Sequence, residues 1–183
     1  RVSLLRFSAG RNLGAHRGAE HGIRFQPGWR MDFVATSTLD GAVVPASPWH
    51  DIPLRLPSGI LSFVNEIPRG TREKLEVATK LPYNPITQDT IKKTGALRSF
   101  TYGDIPFNYG CLPQTFESPT EIDELTGLGG DGDPVDVVEI SDSAIAVGDV
   151  VGVRVLGALA LIDEGETDWK IIAVRADNHK VRQ

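Results

Sequence analysis

The sequence predicts a mainly β fold, built as either a small barrel or a sandwich. Short apolar runs bounded by proline, glycine or asparagine recur from residue 60 to residue 174, a spacing typical of antiparallel β proteins. Long amphipathic helical patterns are missing from the chain. A chain of 183 residues corresponds to about one domain, which buries roughly 70% of its unfolded surface. The core therefore needs no disulfide, and Cys111 is the only cysteine.

The first part of the chain differs in composition from the rest. Up to Arg30 the basic side chains are six arginines, and the only acid is Glu20. Arg-rich, acid-poor leaders are typical of organelle transit peptides. We expect residues 1–30 to form a leader that is disordered or transit-like, and residues 31–183 to form the domain. The expected location is the cytoplasm, with a plastid or mitochondrion as the alternative.

The predicted elements follow one another along the domain. Four prolines between residues 45 and 57 favour an extended chain over a helix in the stretch 31–57. Residues 118–130 offer one helical turn at most. The longest apolar stretch, Val150 to Ile162, is too short to cross a membrane, and we expect a buried strand there. The predicted strands are ILSFVNEI, KLEVATK, ALRSFTYG, VDVVEI, VVGVRVLGALALI and WKIIAV.

Three aspartates lie close together in the segment GDGDPVDVVEI, namely Asp131, Asp133 and Asp136. Along an extended strand the first two would point away from the third, but Gly132 and Pro134 favour a bend that brings all three together. An EF-hand loop is excluded because its glycine and acidic positions hold other residues. A metal site and a loop that only turns the chain both fit this spacing.

A second acidic segment, LIDEGETDWKI, predicts a hairpin. Two apolar strands flank a four-residue link that contains Gly165, so Asp163 and Asp168 would be cross-strand neighbours with Cβ atoms about 5 Å apart. Two carboxylates this close repel each other, and a divalent cation removes that cost. Lys170 shares the strand face of Asp168. A solvated acidic hairpin tip is the alternative.

Charged residues also alternate with apolar ones earlier in the chain. Lys74 and Glu76 would share one strand face, and Glu66 and Arg98 lie in similar short segments. Surface ion pairs explain this pattern equally well. Tyr109, taken alone, is expected in the core or at its rim.

The composition and motifs narrow the range of functions. The net charge of −5 argues against nucleic acid as a partner. The four histidines do not cluster, which argues against a zinc site, and we find no Walker A loop or nucleophile elbow. So many carboxylates can share one pocket only if metal ions neutralise them. A metal-filled acidic pocket with lysines at its rim suits a phosphate substrate.

These segments together resemble one family. GDGDPVDVVEI, EIPR, KLE, PITQDT, FNYGCLPQTFE and IDEGETDWKIIAV are similar to the soluble family I inorganic pyrophosphatases, and SPWHDIPL resembles their eukaryotic branch. The resemblance implies an OB-fold-like, five-stranded closed β-barrel with an extended N-terminal segment and little helix. It also implies Mg²⁺-dependent hydrolysis of pyrophosphate to two phosphates, with several Mg²⁺ ions per site, in a homodimer.

The resemblance implies a role for each candidate residue. By this resemblance, Asp133 corresponds to the base that orients or deprotonates the attacking water. Tyr109 corresponds to a catalytic residue that also binds phosphate. Glu66 is similar to a carboxylate in the outer shell of the metals. The implied metal ligands are Asp131, Asp136, Asp163, Asp168 and Glu76, and the implied substrate ligands are Lys74, Arg98, Lys170 and Tyr109.

Two departures from the family pattern qualify this expectation. Many members carry a tyrosine where Ile105 stands, and isoleucine there resembles the plant-plastid-like branch. The family continues beyond the WK strand with a Tyr-Lys pair and a closing helix, whereas this sequence ends at Gln183. We therefore expect a C-terminally truncated member with impaired activity. An inactive fragment and a non-catalytic OB-type binding module remain alternatives, and neither nucleic acid nor a membrane is an expected partner.

Overall fold

The computed structural model describes the backbone of residues 22–26, 30–39 and 42–178 and the side chains of residues 45–178. Within these ranges the chain forms ten strands, and its only helical element is a single 3₁₀ turn, Pro57–Gly59. The prediction of a mainly β fold with little helix is confirmed. The strands are β1 Gly22–Gln26, β2 Arg30–Leu39, β3 Ala42–Ala46, β4 Leu61–Ile67, β5 Leu75–Val77, β6 Ile86–Gln88, β7 Asn108–Cys111, β8 Asp136–Glu139, β9 Val150–Asp163 and β10 Glu166–Arg175.

Five of these strands close into a barrel, in the order β10, β8, β7, β4, β9 and back to β10. Strands β8 and β10 pair in parallel, and every other neighbouring pair is antiparallel. The expected five-stranded closed barrel is therefore confirmed. A barrel has no open sheet edge at its seam, so its strand ends gather at two rims.

A smaller sheet, in the order β1, β2, β6, β5, lies beside the barrel, and β3 pairs with β2. The segment KLEVATK contributes only the three residues of β5 to this sheet. The strand predicted for ALRSFTYG is wrong, because its backbone makes single bridges at Leu97 and Ser99 instead of a ladder. The Arg98 N–H donates to the Asp89 carbonyl, and the Arg98 carbonyl accepts the Lys74 N–H. These backbone bonds hold the segment as a connecting loop.

Strand β4 faces two apolar cores, because successive side chains along a strand point to opposite faces. Phe63 is fully buried with Val137 in the barrel core. Val64 faces the other way and is buried with Val77 of β5. Because β4 is buried on both faces, the small sheet packs directly against the barrel wall. This packing brings Glu76, the one charged residue of β5, towards Asp133 at one rim of the barrel.

Strand β9 differs from the buried strand that its apolar sequence predicts. After Val153 nearly all of its residues are exposed. The reason is that β4 pairs only with residues 150–153, so the rest of β9 has β10 as its one strand neighbour among the described residues. Five large apolar side chains of β9 are each more than 40% exposed: Val155, Leu156, Leu159, Leu161 and Ile162.

The two-residue turn between β9 and β10 sets the hairpin register. Glu164 and Gly165 have φ values of 49° and 93°, the left-handed pair that a tight hairpin turn requires. Asp163 therefore pairs with Glu166, and Asp168 pairs with Leu161. The predicted four-residue link, with Asp163 opposite Asp168, is wrong. The two aspartates share a face but lie two residue pairs apart.

The N-terminal part of the chain is described only in pieces. Strand β1 lies inside the predicted leader, residues 1–30, and pairs with β2. Residues 1–21 lie outside the described residues, so the division into leader and domain stays a prediction. No helix in the described ranges has the length and apolar character needed to span a bilayer.

Candidate active site

The candidate site lies at the rim of the barrel where β8 begins, which we call the mouth. Asp136 opens β8 beside Lys170 of β10, and its other neighbour is Cys111 of β7. The Lys170 ammonium lies 2.5 Å from Asp136 Oδ2 and 2.5 Å from Asp168 Oδ1. The Tyr109 hydroxyl donates a hydrogen bond to the same Asp136 oxygen. The prediction that Lys170 and Asp168 share a strand face is confirmed.

Burial and charge together set the protonation of this group. Burial disfavours a charged Lys170, but Asp136 and Asp168 outweigh it and raise the lysine pKa. Burial also raises the pKa of Asp136, while Lys170 and Tyr109 act in the opposite direction. For Tyr109, burial and then the charge of Asp136 raise the pKa well above 10. The lysine is therefore a stable cation, and the phenol keeps its proton.

Three carboxylates form a tighter group at the mouth, which we call the carboxylate triad: Glu117, Asp131 and Asp168. Their nearest oxygens all lie within 4.8 Å of one another, so they could hold a metal ion. Glu117 is only 7% exposed, and its Oε1 accepts the Trp169 N–H at 3.0 Å. Its Oε2 is buried and has no hydrogen-bond partner in the described part of the chain. Burial, followed by Asp131 and the other aspartates, raises the Glu117 pKa to about 7.

The segment between Asp131 and Asp136 bends as its sequence predicts. Asp131 Oδ1 accepts the backbone N–H of Asp133 at 2.9 Å, which closes a turn around Gly132. Asp133 points to the small sheet, where Thr79 Oγ1 lies 3.3 Å from its Oδ1. Desolvation, then the charges of Asp131 and Glu76, raise the Asp133 pKa above 3.8.

The small sheet and its loops add the other cations. Lys74 Nζ lies 3.0 Å from Glu76 Oε2 and 3.3 Å from Asp89 Oδ2. Arg98 Nη1 lies 2.9 Å from the same Asp89 oxygen. Burial alone would raise the Asp89 pKa, but Arg98 and Lys74 lower it, so it stays ionised. Asp89 thus holds Lys74 and Arg98 together, and the predicted shared face of Lys74 and Glu76 is confirmed.

Glu66 connects the barrel to the small sheet. It is 4% exposed, and its Oε1 accepts the backbone N–H of Val77 at 2.7 Å. Burial, then the charge of Asp136, raises the Glu66 pKa well above its ordinary value. The carboxyl group ties β4 to β5, next to Glu76. This position fits the outer role that the resemblance implies.

The structure does not bring every predicted residue into the carboxylate triad. Asp163 is exposed at the end of β9, and Glu76 is paired with Lys74 on the small sheet. Both lie outside the triad. The cause for Asp163 is the two-residue hairpin turn, which places it two residue pairs beyond Asp168.

The chain is similar to known proteins in both sequence and fold. The profile of the Pyrophosphatase family, described as inorganic pyrophosphatase, matches residues 63–183, which is more than half of the chain. The chain belongs to the inorganic pyrophosphatase family. Soluble inorganic pyrophosphatase 6, chloroplastic, of Arabidopsis thaliana is 50% identical over 143 residues, which cover 78% of this chain and 47% of that protein. The chain spans about half the length of the curated relatives it matches.

Solved inorganic pyrophosphatases have a similar fold. The type I enzyme of Toxoplasma gondii aligns with a TM-score of 0.76 and 42% identity, covering 86% of this chain and 69% of that chain. The vacuolar soluble pyrophosphatase of Trypanosoma cruzi, truncated at its N-terminal domain and solved in complex with PPi, aligns with a TM-score of 0.76 and 36% identity. That alignment covers 100% of this chain and 75% of the solved chain.

Sequence reasoning missed two polar residues of this pyrophosphatase-family site, Glu117 and Asp89. Glu117 ends the segment FNYGCLPQTFE, and Asp89 lies in PITQDT, so both stand in segments that carry the family resemblance. Neither lies in a dense acidic cluster, which is why the search for clusters passed over them. Ile105, the departure from the family tyrosine, is 1% exposed and packs with Val64.

Proposed function

We propose that this chain hydrolyses inorganic pyrophosphate to two phosphate ions at the mouth of the barrel. The observation that carries the proposal is the convergence of Glu117, Asp131 and Asp168 within 4.8 Å, beside the Lys170 ammonium, in a chain of the inorganic pyrophosphatase family. The Trypanosoma cruzi neighbour, solved in complex with PPi, supports pyrophosphate as the substrate.

The donor set fits Mg²⁺. All candidate ligands are carboxylate oxygens, which hard divalent cations prefer. The buried Glu117 Oε2, without a hydrogen-bond partner among the described residues, is the kind of atom that a metal ion satisfies. We propose Asp131, Asp136 and Asp168 as tight ligands, and Asp163 and Glu76 as ligands of ions that arrive with the substrate. Bound Mg²⁺ would lower the pKa of a coordinated water from about 15.7 and neutralise phosphate charge.

Asp133 is the proposed general base. Its pKa is raised by desolvation and by Asp131 and Glu76, which increases its affinity for a proton from water. Thr79 holds one carboxylate oxygen, so the other is open to a water molecule. The base is thus oriented from the small sheet while Asp131 fixes its backbone.

The proposed substrate ligands are the cations around the mouth and the Tyr109 hydroxyl. Asp89 keeps Lys74 and Arg98 side by side, so both can bind oxygens of one phosphate group. Lys170 supplies a third positive charge between two aspartates. Cations placed on the phosphate oxygens stabilise the charge of the transition state, which is the main contribution of a protein to phosphoryl transfer.

The test is release of phosphate from pyrophosphate with Mg²⁺, comparing the chain with Asp133→Asn. Loss of a general base should lower the rate by about 10²–10⁴-fold. Asp51→Asn, which changes an exposed carboxylate bonded to the Ser47 N–H, is the matched control and should keep the full rate. A rate that survives Asp133→Asn would come from a contaminating enzyme. No release from the unaltered chain would favour an inactive member or a binding module.

Assembly and location are separate proposals. We expect the complete protein to form a homodimer, which light scattering after size-exclusion chromatography measures directly. For the location, the Arabidopsis relative is named as chloroplastic, which supports the plastid alternative to the cytoplasm. A fluorescent protein fused to residues 1–30 distinguishes them: import into plastids supports the first, and a diffuse cytoplasmic signal supports the second.

A further inference from the structure

The segment Glu117–Gly130, which we call the clamp loop, runs alongside β10 just before the part that β8 covers. Strand β8 pairs only with residues 170–173 of β10. The clamp loop continues this edge through Thr167, whose N–H donates to Gly129 O at 2.7 Å and whose hydroxyl donates to Leu128 O at 3.0 Å. Gly130 and Thr167 also form a parallel bridge. The loop thus serves as the strand neighbour of the residues around Asp168.

Two side chains connect the middle of this loop to β10. The Thr126 hydroxyl lies 2.5 Å from the Thr167 hydroxyl, and Asp123 bonds to Trp169. Asp123 Oδ1 accepts the backbone N–H groups of Leu125 at 2.8 Å and Thr126 at 3.1 Å. Its other oxygen, Oδ2, accepts the indole N–H of Trp169 at 3.0 Å. The Leu125 N–H contributes most to lowering the Asp123 pKa, so the carboxylate is ionised. A single carboxylate therefore joins the turn of the loop to the residue that follows Asp168.

The same loop provides the rest of the carboxylate triad. Glu117 begins it, Asp131 follows its last residue, and both lie within 4.8 Å of Asp168. The two ends of the loop cross closely, because a Cβ on Gly130 would lie 2.5 Å from the Glu117 carbonyl carbon. The position of the loop against β10 thus sets the distance between the three carboxylates.

Three carboxylates at this spacing repel one another when ionised, and the repulsion pushes the loop away from β10. Contacts that hold the loop in place before a cation binds preorganise the site and favour metal binding. Outer contacts that orient metal ligands typically contribute about 10–100-fold to metal affinity. The Asp123–Trp169 hydrogen bond is such a contact and involves no member of the triad.

We propose that Asp123 is a positioning residue of the metal site, acting through the Trp169 indole to hold the clamp loop and set the carboxylate triad. This inference depends on one part of the proposed function, namely that the triad binds Mg²⁺. Asp123 is not a member of the triad. A purely structural role for Asp123 would change stability without changing Mg²⁺ affinity in the folded chain.

The experiment measures Mg²⁺ binding by calorimetry without pyrophosphate, and thermal unfolding in EDTA, for Asp123→Asn, Trp169→Phe and the double variant. Asparagine has one oxygen left, which cannot serve both the loop N–H groups and the indole. Phenylalanine keeps the ring but removes the donor. We expect each single variant to weaken Mg²⁺ binding about 10-fold, and the double variant to be no weaker than either, because both remove one contact.

The control is Asp51→Asn, which alters a similar carboxylate-to-backbone bond outside the clamp loop and should leave Mg²⁺ affinity within about 2-fold of the unaltered value. Unchanged affinity in Asp123→Asn, additive losses in the double variant, or losses that only follow unfolding in EDTA would each overturn the proposal. So would an unaltered chain that binds no Mg²⁺. A chain that binds Mg²⁺ with the expected pattern but releases no phosphate would support the positioning role and refute the hydrolytic function alone.

Discussion

Strand β8 carries a carboxylate at each end, Asp136 at the mouth and Glu139 at the opposite rim, and their surroundings differ. Glu139 is fully buried, and fixed donors satisfy both of its oxygens. Its Oε1 accepts the N–H groups of Ser141 and Arg175, each at 3.0 Å, and its Oε2 accepts the Asn108 amide at 2.8 Å. The donors come from strand ends, loop backbone and one amide, so the network stabilises the fold.

At the mouth the donors are fewer and the acids more numerous. Asp136 and Asp168 share one ammonium, that of Lys170, and Glu117 leaves one buried oxygen without a partner in the described part of the chain. Buried carboxylates that lack fixed donors raise the free energy of the folded chain unless a proton or a cation arrives. In this barrel a complete hydrogen-bond network surrounds the structural carboxylate Glu139, whereas an incomplete one surrounds the carboxylates of the candidate site.

The largest expected effect is that of Asp168→Asn, which removes one charge from the mouth. The rate of the proposed hydrolysis should fall by about 10³-fold, or about 4 kcal/mol of transition-state free energy, because a proposed metal ligand becomes a neutral amide. The free energy of unfolding in EDTA should not fall, since one source of repulsion is removed while Lys170 keeps Asp136. Phosphate release and urea unfolding measure the two effects. A fall of several kcal/mol in the free energy of unfolding would show that Asp168 stabilises the fold, which would contradict the difference proposed between the mouth and the opposite rim.

The pH dependence of stability tests the same contrast through Glu117. Its pKa is about 7 in the folded chain against an ordinary 4.5, so the folded state binds more protons between these values. Stability without metal should therefore fall as pH rises through this window, by at most about 3 kcal/mol from this group. Urea unfolding in EDTA at pH 5 and pH 8 measures the change. Glu117→Gln should remove this contribution to the fall in stability with rising pH. An unchanged dependence of stability on pH would contradict the raised Glu117 pKa.

The smallest expected effect belongs to the opposite rim, where Glu139→Gln makes the matched change of a carboxylate to an amide. The new NH₂ group would face the Asn108 amide, which already donates, so the free energy of unfolding should fall by about 2 kcal/mol. Mg²⁺ affinity of the folded chain should stay the same. Calorimetry and urea unfolding check both. Weaker Mg²⁺ binding at full stability would show that the two rims are coupled.

Much of the fold was predictable from local patterns. The barrel strands β4 and β8 lie within predicted strands, and β9 and β10 contain predicted strands and extend beyond them. Alternating or continuous β-branched and aliphatic residues indicate a strand locally. Strand β7, Asn108–Cys111, was missed because four residues with a central glycine carry no clear period. The exposure of β9 is also not predicted, since an apolar run does not reveal that β4 pairs only with the first four residues of β9, Val150 to Val153.

The candidate site was predictable in part. The pairs Lys170–Asp168 and Lys74–Glu76 follow from a spacing of two residues along one strand, and both are present. Asp163 was assigned to the wrong register because its link was read as four residues instead of two. The roles proposed for individual residues stay predictions until the variants are measured.

The residue pattern alone predicts the barrel strands β4, β8, β9 and β10, the positions of the acidic residues and the family that these segments resemble. Only the tertiary structure decided that Glu117 joins Asp131 and Asp168, and that Asp89 holds Lys74 beside Arg98. The physical reason is that strand propensity is a local property of a few residues. Convergence of side chains far apart in the chain depends instead on barrel closure and on the register of each ladder, which long-range packing selects.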